Sequence, residues 1–286
     1  MKTASRILVT GGSGLLGSLL LSKLSSLGYK VTGLGRTQCP VHLQSMCDWI
    51  SFDLAVDQQI EHNAEILIHC APLWLLPGFL QKLQSIGNLK RCIAMSSTSA
   101  IAKVNAQDDR DRDLAMRLLY AENRVKDLTA ENIDTTIFRP ALIYGYGKDK
   151  NITVIAKFIK KFGFFPIAGK ANGLRQPVHV DDLVTAVTEI IENPRTFGKT
   201  YSLAGGQTMS YKAMLEKIFT SLGRSPRIVR LPLPLYRLLL AIRFNDYSPG
   251  SANRMNQNMN YDIEPAITDF NYQPQDFLKN PGKDLH

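Results

Sequence analysis

Long hydrophobic runs are absent from this sequence of 286 residues, in which no stretch of 18 consecutive apolar residues occurs. A helix needs about 20 such residues to cross a bilayer, so we predict no membrane-spanning segment. The sequence also lacks the pattern of a secretory signal peptide, because it enters Ile7-Leu8-Val9 after a few polar residues. These absences favour a cytoplasmic globular protein.

Cysteine is scarce as well. The four cysteines, Cys39, Cys47, Cys70 and Cys92, include no C-x-x-C spacing. This pattern excludes a disulfide-rich secreted scaffold and predicts reduced thiols. Cys39, His42 and Cys47 come nearest to a set of metal ligands, but their spacing is not that of a known site, and we predict no metal.

Acidic residues are outnumbered by basic ones, with 25 Asp and Glu against 34 Lys and Arg and a formal net charge of +9. Such an excess favours anionic partners. The basic residues are scattered and form no recognised nucleic-acid-binding module, so we predict small phosphorylated ligands in preference to nucleic acid. The hydrophobic fraction of 44% is that of a globular chain with a sizeable core.

The segment LVTGGSGLLGSLL, residues 8 to 20, is a strand pattern that runs into glycines and continues as an apolar helix. Gly11 can take a tight turn, Gly14 can let a phosphate approach the backbone, and Gly17 can bring the helix close to the strand. The N-terminus of the helix supplies N–H groups for an anion. The spacing favours a dinucleotide site over glycines that serve packing alone.

A second strand follows this helix. Gly28 fits a helix C-cap, and residues 30–34 form the strand pattern. Dinucleotide-binding units commonly carry an acid at the end of this strand to bind the ribose 2′-hydroxyl, whereas this sequence has Arg36. A guanidinium can bind a 2′-phosphate through two hydrogen bonds. We therefore predict NADP in preference to NAD, with a solvated loop arginine as the alternative.

Short apolar runs alternate with helical stretches along the rest of this half, which predicts a doubly wound α/β fold with a parallel sheet covered on both faces. Strands are predicted at residues 49–52, 65–69, 91–95 and 135–138, and helices at 75–86 and 111–130. Ligands collect at the carboxyl ends of the strands in such sheets. Those ends carry Asp53, Cys70, Ala71 and the run from Ser96 to Thr98.

Further motifs extend over nearly the whole chain. They are Thr10-Gly-x-x-Gly-x-x-Gly17, Asp53-Leu54, His69-Cys70-Ala71, Ser96-Ser97-Thr98, Arg139-Pro140 with Ile143-Tyr144-Gly145, and the run from Arg175 to Leu183. With these motifs the chain resembles the extended or atypical short-chain dehydrogenase/reductases, the NAD(P)-dependent epimerase/dehydratase family. The resemblance implies a Rossmann-like cofactor domain, residues 1–145 and 173–199, and a smaller, discontinuous substrate lobe, residues 146–172 and 200–286.

The resemblance also implies roles for single residues. Cofactor contacts are predicted for Gly11, Ser13, Gly14, Leu15, Gly17, Arg36, Asp53, Leu54, Cys70, Ala71 and Ser96. Thr98 would take the place of a catalytic Ser or Thr, while Tyr144 and Arg175 would bind substrate, Arg175 through a diphosphate. Structural alternatives stay open: Asp53 as an N-cap, Thr98 as a hydroxyl that satisfies loop amides, and Arg175 in a bridge to Asp181 or Asp182.

The family's hydride chemistry uses a Tyr and a Lys four residues later on one helix, where the cation lowers the pKa of the phenol. The nearest match is Tyr120 with Arg124, which we predict as catalytic together with Thr98. Arg is not a faithful replacement for Lys, because a guanidinium differs from an ammonium in shape and hydration.

The position of Tyr120 on its helix favours a second alignment. The acids from Asp108 onward predict that the helix begins about two turns earlier, and Tyr120 lies off the apolar stripe, as a surface tyrosine would. If Glu122 is matched to the family's helix glutamate, Leu114 and Leu118 take the Tyr and Lys positions. In that alignment the helix carries no Tyr and Lys pair for catalysis.

Two functions remain open. The first is an NADP-dependent oxidoreductase or epimerase/dehydratase that acts on a nucleotide-sugar or related metabolite. The second is a catalytically degenerate NADP-binding sensor or scaffold, favoured by the leucines of the second alignment.

The apolar run at residues 231–244, with Arg237 and Arg243, is predicted either as a buried helix or as a contact with a membrane surface. The resemblance also implies a homodimer, in which residues 111–130 would correspond to one of two pairing helices.

Overall fold

The computed structural model describes residues 5–56, 60, 62–84, 88–232, 234–236 and 254–285. Its strands are β1 (Arg6–Thr10), β2 (Lys30–Gly35), β3 (Asp48–Ser51), β4 (Ile66–His69), β5 (Arg91–Met95), β6 (Asp134–Pro140), β7 (Ile143–Tyr144), β8 (Phe165–Ala168), β9 (Leu174–Arg175), β10 (Val178–His179), β11 (Thr200–Leu203), β12 (Met209–Ser210) and β13 (Ile228–Leu231). Its helices are α1 (Leu15–Ser26), α2 (Leu76–Gln84), α3 (Ser99–Ala102), α4 (Asp109–Thr129), α5 (Ile152–Phe162), α6 (Val180–Ile190), α7 (Tyr211–Ser221), α8 (Glu264–Phe270) and α9 (Pro281–Asp284).

Seven strands form one parallel sheet in the order β3-β2-β1-β4-β5-β6-β11. The chain runs from β1 to one edge and then crosses back to β4, so the strand order reverses between β1 and β4. Strands β4 and β5 are buried along their whole length, because helices cover both faces of the sheet. The predicted doubly wound α/β fold is confirmed.

Two apolar clusters flank the sheet. On one face, Leu20 and Leu24 of α1 pack with Val187 of α6. On the other, Phe79 of α2 packs with Val125 of α4. The apolar stripe predicted for α4 is confirmed, since its members lie in or against this second cluster.

The end of α1 shows how local sequence sets the geometry of the first βαβ unit. Gly28 has φ +86°, a conformation that glycine adopts without a Cβ clash, so the predicted C-cap is confirmed. The N–H of Gly28 donates to the Ser25 carbonyl at 3.0 Å, and that of Tyr29 donates to the Leu24 carbonyl at 3.2 Å. This pair of bonds is a Schellman motif, which stops the helix and directs the chain into β2.

A third apolar cluster belongs to a smaller lobe, in which Ile155 and Ile159 of α5 pack with Leu215 and Phe219 of α7. The division into two units stays a prediction, but its boundary is wrong in two places. Strand β11 joins the main sheet by pairing with β6, and helix α8 packs on the α1/α6 face through Ala266. The lobe bounds implied by the resemblance, 200–286, include both elements.

Within the described residues, no helix has the length and apolar character needed to cross a membrane. Most of the run at 231–244 lies outside the described residues, which leave out 233 and 237–253. Both predictions for that run therefore stay open.

Candidate active site

The glycine turn after β1 is shaped by close backbone contacts. Gly11 has φ +68°, and a Cβ there would lie 2.8 Å from the amide nitrogen of Ala71. A Cβ on Gly17 would lie 2.3 Å from the carbonyl oxygen of Gly11. Real Cβ atoms do not approach this closely, so the helix can meet the turn only because both positions are glycine.

The N-terminus of α1 is open to an anion. Gly14 is its N-cap, no side chain caps the helix, and the first turn carries no acid. The first amides of a helix lack partners within it, and the helix dipole places partial positive charge there. Ser13 and Gly14 are exposed and Leu15 is half-buried, so a phosphate can reach these amides. The turn therefore fits the pyrophosphate of a dinucleotide.

The ends of β2 and β3 continue the same edge of the sheet. Arg36 is exposed directly after β2. The ring of Trp49 fills the space above the glycines of this strand, since a Cβ on Gly35 would lie 2.7 Å from it. Trp49 Nε1 donates to the carbonyl of Thr37 at 2.9 Å, which fixes the loop that carries Arg36.

Asp53 and Leu54 follow β3. Asp53 Oδ1 accepts from the N–H of Ala55 at 3.0 Å, so the carboxylate caps its own turn, as in the structural alternative considered for it. Leu54 packs against the cluster under α2 and α4. The cofactor contacts of both residues stay predictions.

The loop after β4 is held in place by a histidine that the sequence reasoning did not select. His69 is fully buried; its Nδ1 lies 2.8 Å from Thr10 Oγ1 and its Nε2 lies 3.2 Å from the carbonyl oxygen of Pro72. Burial lowers its pKa from 6.5 to about 4, so the ring is neutral near pH 7. The two bonds hold Cys70 and Ala71 against the glycine turn.

The predicted cofactor contact Cys70 is half-buried and free of disulfides. Burial raises the pKa of its thiol to about 12. The side chain is therefore a neutral thiol near pH 7, suited to packing and not to nucleophilic attack.

A buried polar cluster ties β5, α4 and β6 together. Glu122 is 1% exposed and accepts from Ser96 Oγ and from Arg139 Nε, the latter at 2.9 Å, with a second bond to Arg139 Nη2. The Ser96 hydroxyl, predicted to contact the cofactor, thus donates to Glu122. In the sequence, the signal for this cluster is Glu122, a charged residue on the face of α4 that the apolar stripe predicts to be buried.

A pocket of about 270 Å³ opens beyond the end of β5 and is lined by Thr98 and Tyr261. Thr98 is 5% exposed, and its hydroxyl donates to the carbonyl of Pro140 at 3.2 Å. Burial raises the pKa of the Tyr261 phenol, while a hydrogen bond with Thr98 and the charge of Arg175 oppose that rise. The structure thus brings a phenol to Thr98 that sequence reasoning missed.

Tyr261 reaches this position through long-range contacts. Its N–H donates to Gln176 Oε1 at 3.1 Å. Two residues earlier, the N–H of Met259 donates to the Leu174 carbonyl at 2.9 Å. These bonds join segments more than 80 residues apart, so no local motif could have identified Tyr261.

Three cations line the same pocket: Lys103, Arg175 and Arg254. Asp111 binds Lys103 at 2.8 Å and also pairs with Arg254. Although burial alone raises it, the pKa of Asp111 is held below its usual range by these two cations. The carboxylate offsets part of the positive charge, and the lining stays favourable for an anionic substrate.

Arg175, the predicted diphosphate ligand, is 5% exposed. Its Nη1 donates to the carbonyls of Leu174 and Gln257, the latter at 2.8 Å, and its Nη2 donates to the carbonyl of Arg254. It therefore anchors the segment that carries Arg254 to β9. The alternative of a bridge to Asp181 or Asp182 is wrong, because the guanidinium binds backbone carbonyls.

Tyr120 and Arg124 are not brought to the pocket, contrary to the prediction of one site with Thr98. Tyr120 is 68% exposed on the outer face of α4, and Arg124 pairs with Asp127 at 3.7 Å. The physical reason is the apolar stripe, which turns Leu118 inward and Tyr120 outward.

Tyr144, which was predicted to bind substrate, is not in the pocket either. Its side chain has no exposure, its hydroxyl accepts from the N–H of Leu278 at 3.0 Å, and its ring packs on Phe277 at 5.1 Å. The predicted substrate contact is therefore wrong, because the C-terminal segment covers this tyrosine.

No group of three or more His, Cys, Asp or Glu side chains suited to a metal occurs in the part of the chain that the structure describes. Cys39 and Cys47 are half-buried, while His42 is exposed.

Two relatives of known name differ in the share of this chain that aligns with them. The chain is 32% identical over 129 residues to the mitochondrial NADH dehydrogenase [ubiquinone] 1 alpha subcomplex subunit 9 of Arabidopsis thaliana. The aligned region covers 44% of this chain and 32% of that protein. The chain thus spans about a third of the length of that relative. It is 23% identical to the 2-alkyl-3-oxoalkanoate reductase of Stenotrophomonas maltophilia, over 94% of this chain and 95% of that protein.

Among solved structures, the chain is similar to UDP-glucuronic acid 4-epimerase from Bacillus cereus, determined with UDP-glucuronic acid and NAD. The TM-score is 0.74 at 18% identity, with 98% of both chains covered, which shows a shared fold. The sequence model described as NAD dependent epimerase/dehydratase family matches residues 7–73 and 80–204. This match covers most of the sheet, the glycine turn and Thr98, and the chain belongs to the NAD dependent epimerase/dehydratase family.

Proposed function

We propose that the protein is a dinucleotide-dependent epimerase, dehydratase or reductase of a phosphorylated small molecule of the nucleotide-sugar class. The observation that carries this proposal is the pocket beyond β5, where Thr98 and Tyr261 meet three cations. The cations suit the phosphates of such a substrate, and the two hydroxyls suit the alcohol or ketone at which chemistry occurs.

The dinucleotide would lie along the carboxyl edge of the sheet. The amides around Gly14 would hold its pyrophosphate at the start of α1, where Gly11 and Gly17 bring the helix against the turn, and Cys70 and Ala71 would pack along it. When bound, the nicotinamide accepts or returns a hydride. Arg36 is exposed at the end of β2 and supports a preference for NADP, because its guanidinium can bind the 2′-phosphate of that dinucleotide. The relative solved with NAD supports the opposite preference.

Tyr261 is proposed as the proton-exchanging group. A phenol that takes the proton from a substrate hydroxyl, or returns it, must carry negative charge part of the time. Burial raises the pKa of the Tyr261 phenol, and the hydrogen bond with Thr98 and the nearby charge of Arg175 oppose that rise by favouring the charged form. Arg175 would serve the purpose that the family gives to a lysine on the helix. Thr98 would orient the substrate oxygen by a hydrogen bond.

The second candidate, a dinucleotide-binding protein without catalysis, is favoured by α4. Leu118 is 4% exposed and Leu114 packs against the same apolar cluster, so neither of the positions matched to the family's Tyr and Lys carries a reactive group. The match to a subunit of NADH dehydrogenase supports the same candidate.

Turnover of a panel of UDP-sugars and related phosphorylated ketones, with NAD and with NADP, separates the two candidates. We expect Tyr261→Phe to lower turnover by about 10²–10⁴-fold, the usual contribution of a general acid–base group, with unchanged cofactor affinity. Tyr120→Phe is the matched control and should keep full turnover, because that phenol faces solvent.

Three outcomes decide the matter. Cofactor binding without turnover of any member of the panel favours the scaffold. Turnover that survives in Tyr261→Phe removes the proposed role of Tyr261 while the enzyme stands. Loss of turnover in Tyr120→Phe would show that the catalytic tyrosine is the one on the outer face of α4.

The predicted homodimer contact through that helix also stays a proposal, to be tested by sedimentation of the purified chain.

A further inference from the structure

The net positive charge of the chain comes from two segments of the smaller lobe that lack acidic residues. Residues 150–172 contain five Lys and Arg and no Asp or Glu, and residues 217–232 contain four and again no acid. Nine of the 34 basic residues lie in these segments, which leaves 25 basic against 25 acidic residues elsewhere. These two segments therefore account for the net charge of +9.

The fold brings these two segments together. Strands β8 and β13 pair in parallel, with Phe165 opposite Ile228. The N–H of Phe165 donates to the carbonyl of Arg227 at 2.9 Å, and Arg224 Nη1 donates to the carbonyl of Ile159 at 2.9 Å. The last turn of α5 and the segment around β13 thus form one surface, which we call the basic face. Its exposed cations are Lys157, Lys160, Lys161, Arg224, Arg227 and Arg230.

Aromatic side chains lie among these cations. The ring centroid of Phe158 lies 4.6 Å from that of Phe162 and 5.8 Å from that of Phe164, and all three side chains are half-exposed. Lys161 Nζ lies 5.4 Å from the Phe162 centroid. Val229 on β13 is 43% exposed. Water is a poor environment for the exposed parts of these side chains, and apolar surface within a charged rim is typical of an interaction site.

We propose that the basic face docks on the surface of an anionic phospholipid bilayer. The cations would contact lipid phosphates, and the phenylalanines would enter the boundary between headgroups and acyl chains. A nucleic acid would pair its phosphates with the cations and stack its bases on the phenylalanines, but the exposed aliphatic side chain of Val229 offers a base no ring to stack on and suits an acyl chain. The combination of half-buried phenylalanines, the exposed Val229 and clustered positive charge therefore favours lipid. This docking does not depend on the proposed catalytic function.

The test is co-sedimentation of the full chain with vesicles of phosphatidylcholine alone and of phosphatidylcholine mixed with phosphatidylserine. We expect binding to the mixed vesicles only, and release at high salt. Reversal of two cations of the basic face, Arg227→Glu with Arg230→Glu, should weaken binding at least tenfold. The matched control, Arg110→Glu with Lys126→Glu, reverses two exposed cations on α4 and should change binding less than twofold.

Insertion of the aromatic cluster is tested separately with Phe164→Trp, which keeps an aromatic ring. Its fluorescence should be quenched by phospholipids brominated on their acyl chains, beyond the quenching seen with the parent chain. Circular dichroism confirms that each variant is folded, and Arg227→Gln with Arg230→Gln replaces the double reversal if that variant unfolds. No vesicle binding, equal weakening by both double variants, or retention by RNA without vesicle binding would overturn the proposal.

Discussion

His69 shows what a single buried residue contributes to the site. Its two hydrogen bonds hold the loop after β4 against the glycine turn, and burial lowers its pKa to about 4. The unfolded chain takes up the proton near pH 6.5, before the folded chain does, so the folded state loses stability as the pH falls from 6.5 towards 4. At about 1.4 kcal/mol per pH unit, the loss reaches about 3 kcal/mol.

Urea unfolding at pH 7 and at pH 4.5 measures this loss. In His69→Gln the part of the pH dependence that comes from this proton should disappear, although stability at pH 7 also falls because the two bonds are disturbed. His42→Gln removes an exposed histidine and should keep the pH dependence of the parent chain. An unchanged pH dependence in His69→Gln would contradict the account of this residue.

Gly17 gives a second prediction at the residue scale. A Cβ there would meet the Gly11 carbonyl at 2.3 Å, so Gly17→Ala should force the helix away from the turn, destabilise the fold by about 1–3 kcal/mol and weaken dinucleotide binding. Gly78 lies in α2 with nothing within 4 Å of its Cβ position. Gly78→Ala should therefore stabilise the fold by about 0.5–1 kcal/mol. Thermal unfolding measures both effects, and destabilisation by both or neither would contradict the packing argument.

At the scale of elements, α4 is held to the sheet by the contact of Glu122 with Arg139 and Ser96 as well as by its apolar stripe. Glu122→Gln removes the charge and leaves the Arg139 guanidinium, 19% exposed, without its counter-ion. We expect the free energy of unfolding to fall by about 3 kcal/mol. This is the low end of the effect of breaking a buried ion pair, because Arg139 is partly solvated. Urea unfolding measures it.

Glu131→Gln is the control for this pair, because Glu131 is exposed just beyond the end of α4. It should change the free energy of unfolding by less than about 0.5 kcal/mol. Equal effects of the two substitutions would show that the buried cluster contributes no more than a surface carboxylate.

The same helix shows what sequence reasoning can and cannot predict. Its start, from the cap Asp108, and its apolar stripe follow from local periodicity, and both are confirmed. The functional residues do not follow from such patterns. Tyr144 is covered by Leu278, and Tyr261 is held by Gln176; both contacts join residues far apart in sequence. Long-range packing decided which tyrosine lies in the pocket.

At the scale of the whole molecule, the parallel sheet and the smaller lobe bring two kinds of site together. The edge of the sheet holds the glycine turn, and the lobe supplies Tyr261 and the pocket cation Arg254. The alternation of apolar runs and helical stretches predicted six of the seven strands of the sheet. The lobe was predicted only in outline, because β11 and α8 return to the sheet after the lobe has begun.

The central claim is that the first βα turn binds a nicotinamide dinucleotide with help from Arg36. Isothermal titration calorimetry of the purified chain with NADP and with NAD tests it most directly. We predict saturable binding of NADP, weakened about tenfold by Arg36→Ala because a charge-assisted bond is lost, with NAD binding unchanged by that substitution. The absence of heat with either dinucleotide at millimolar concentration would contradict the claim.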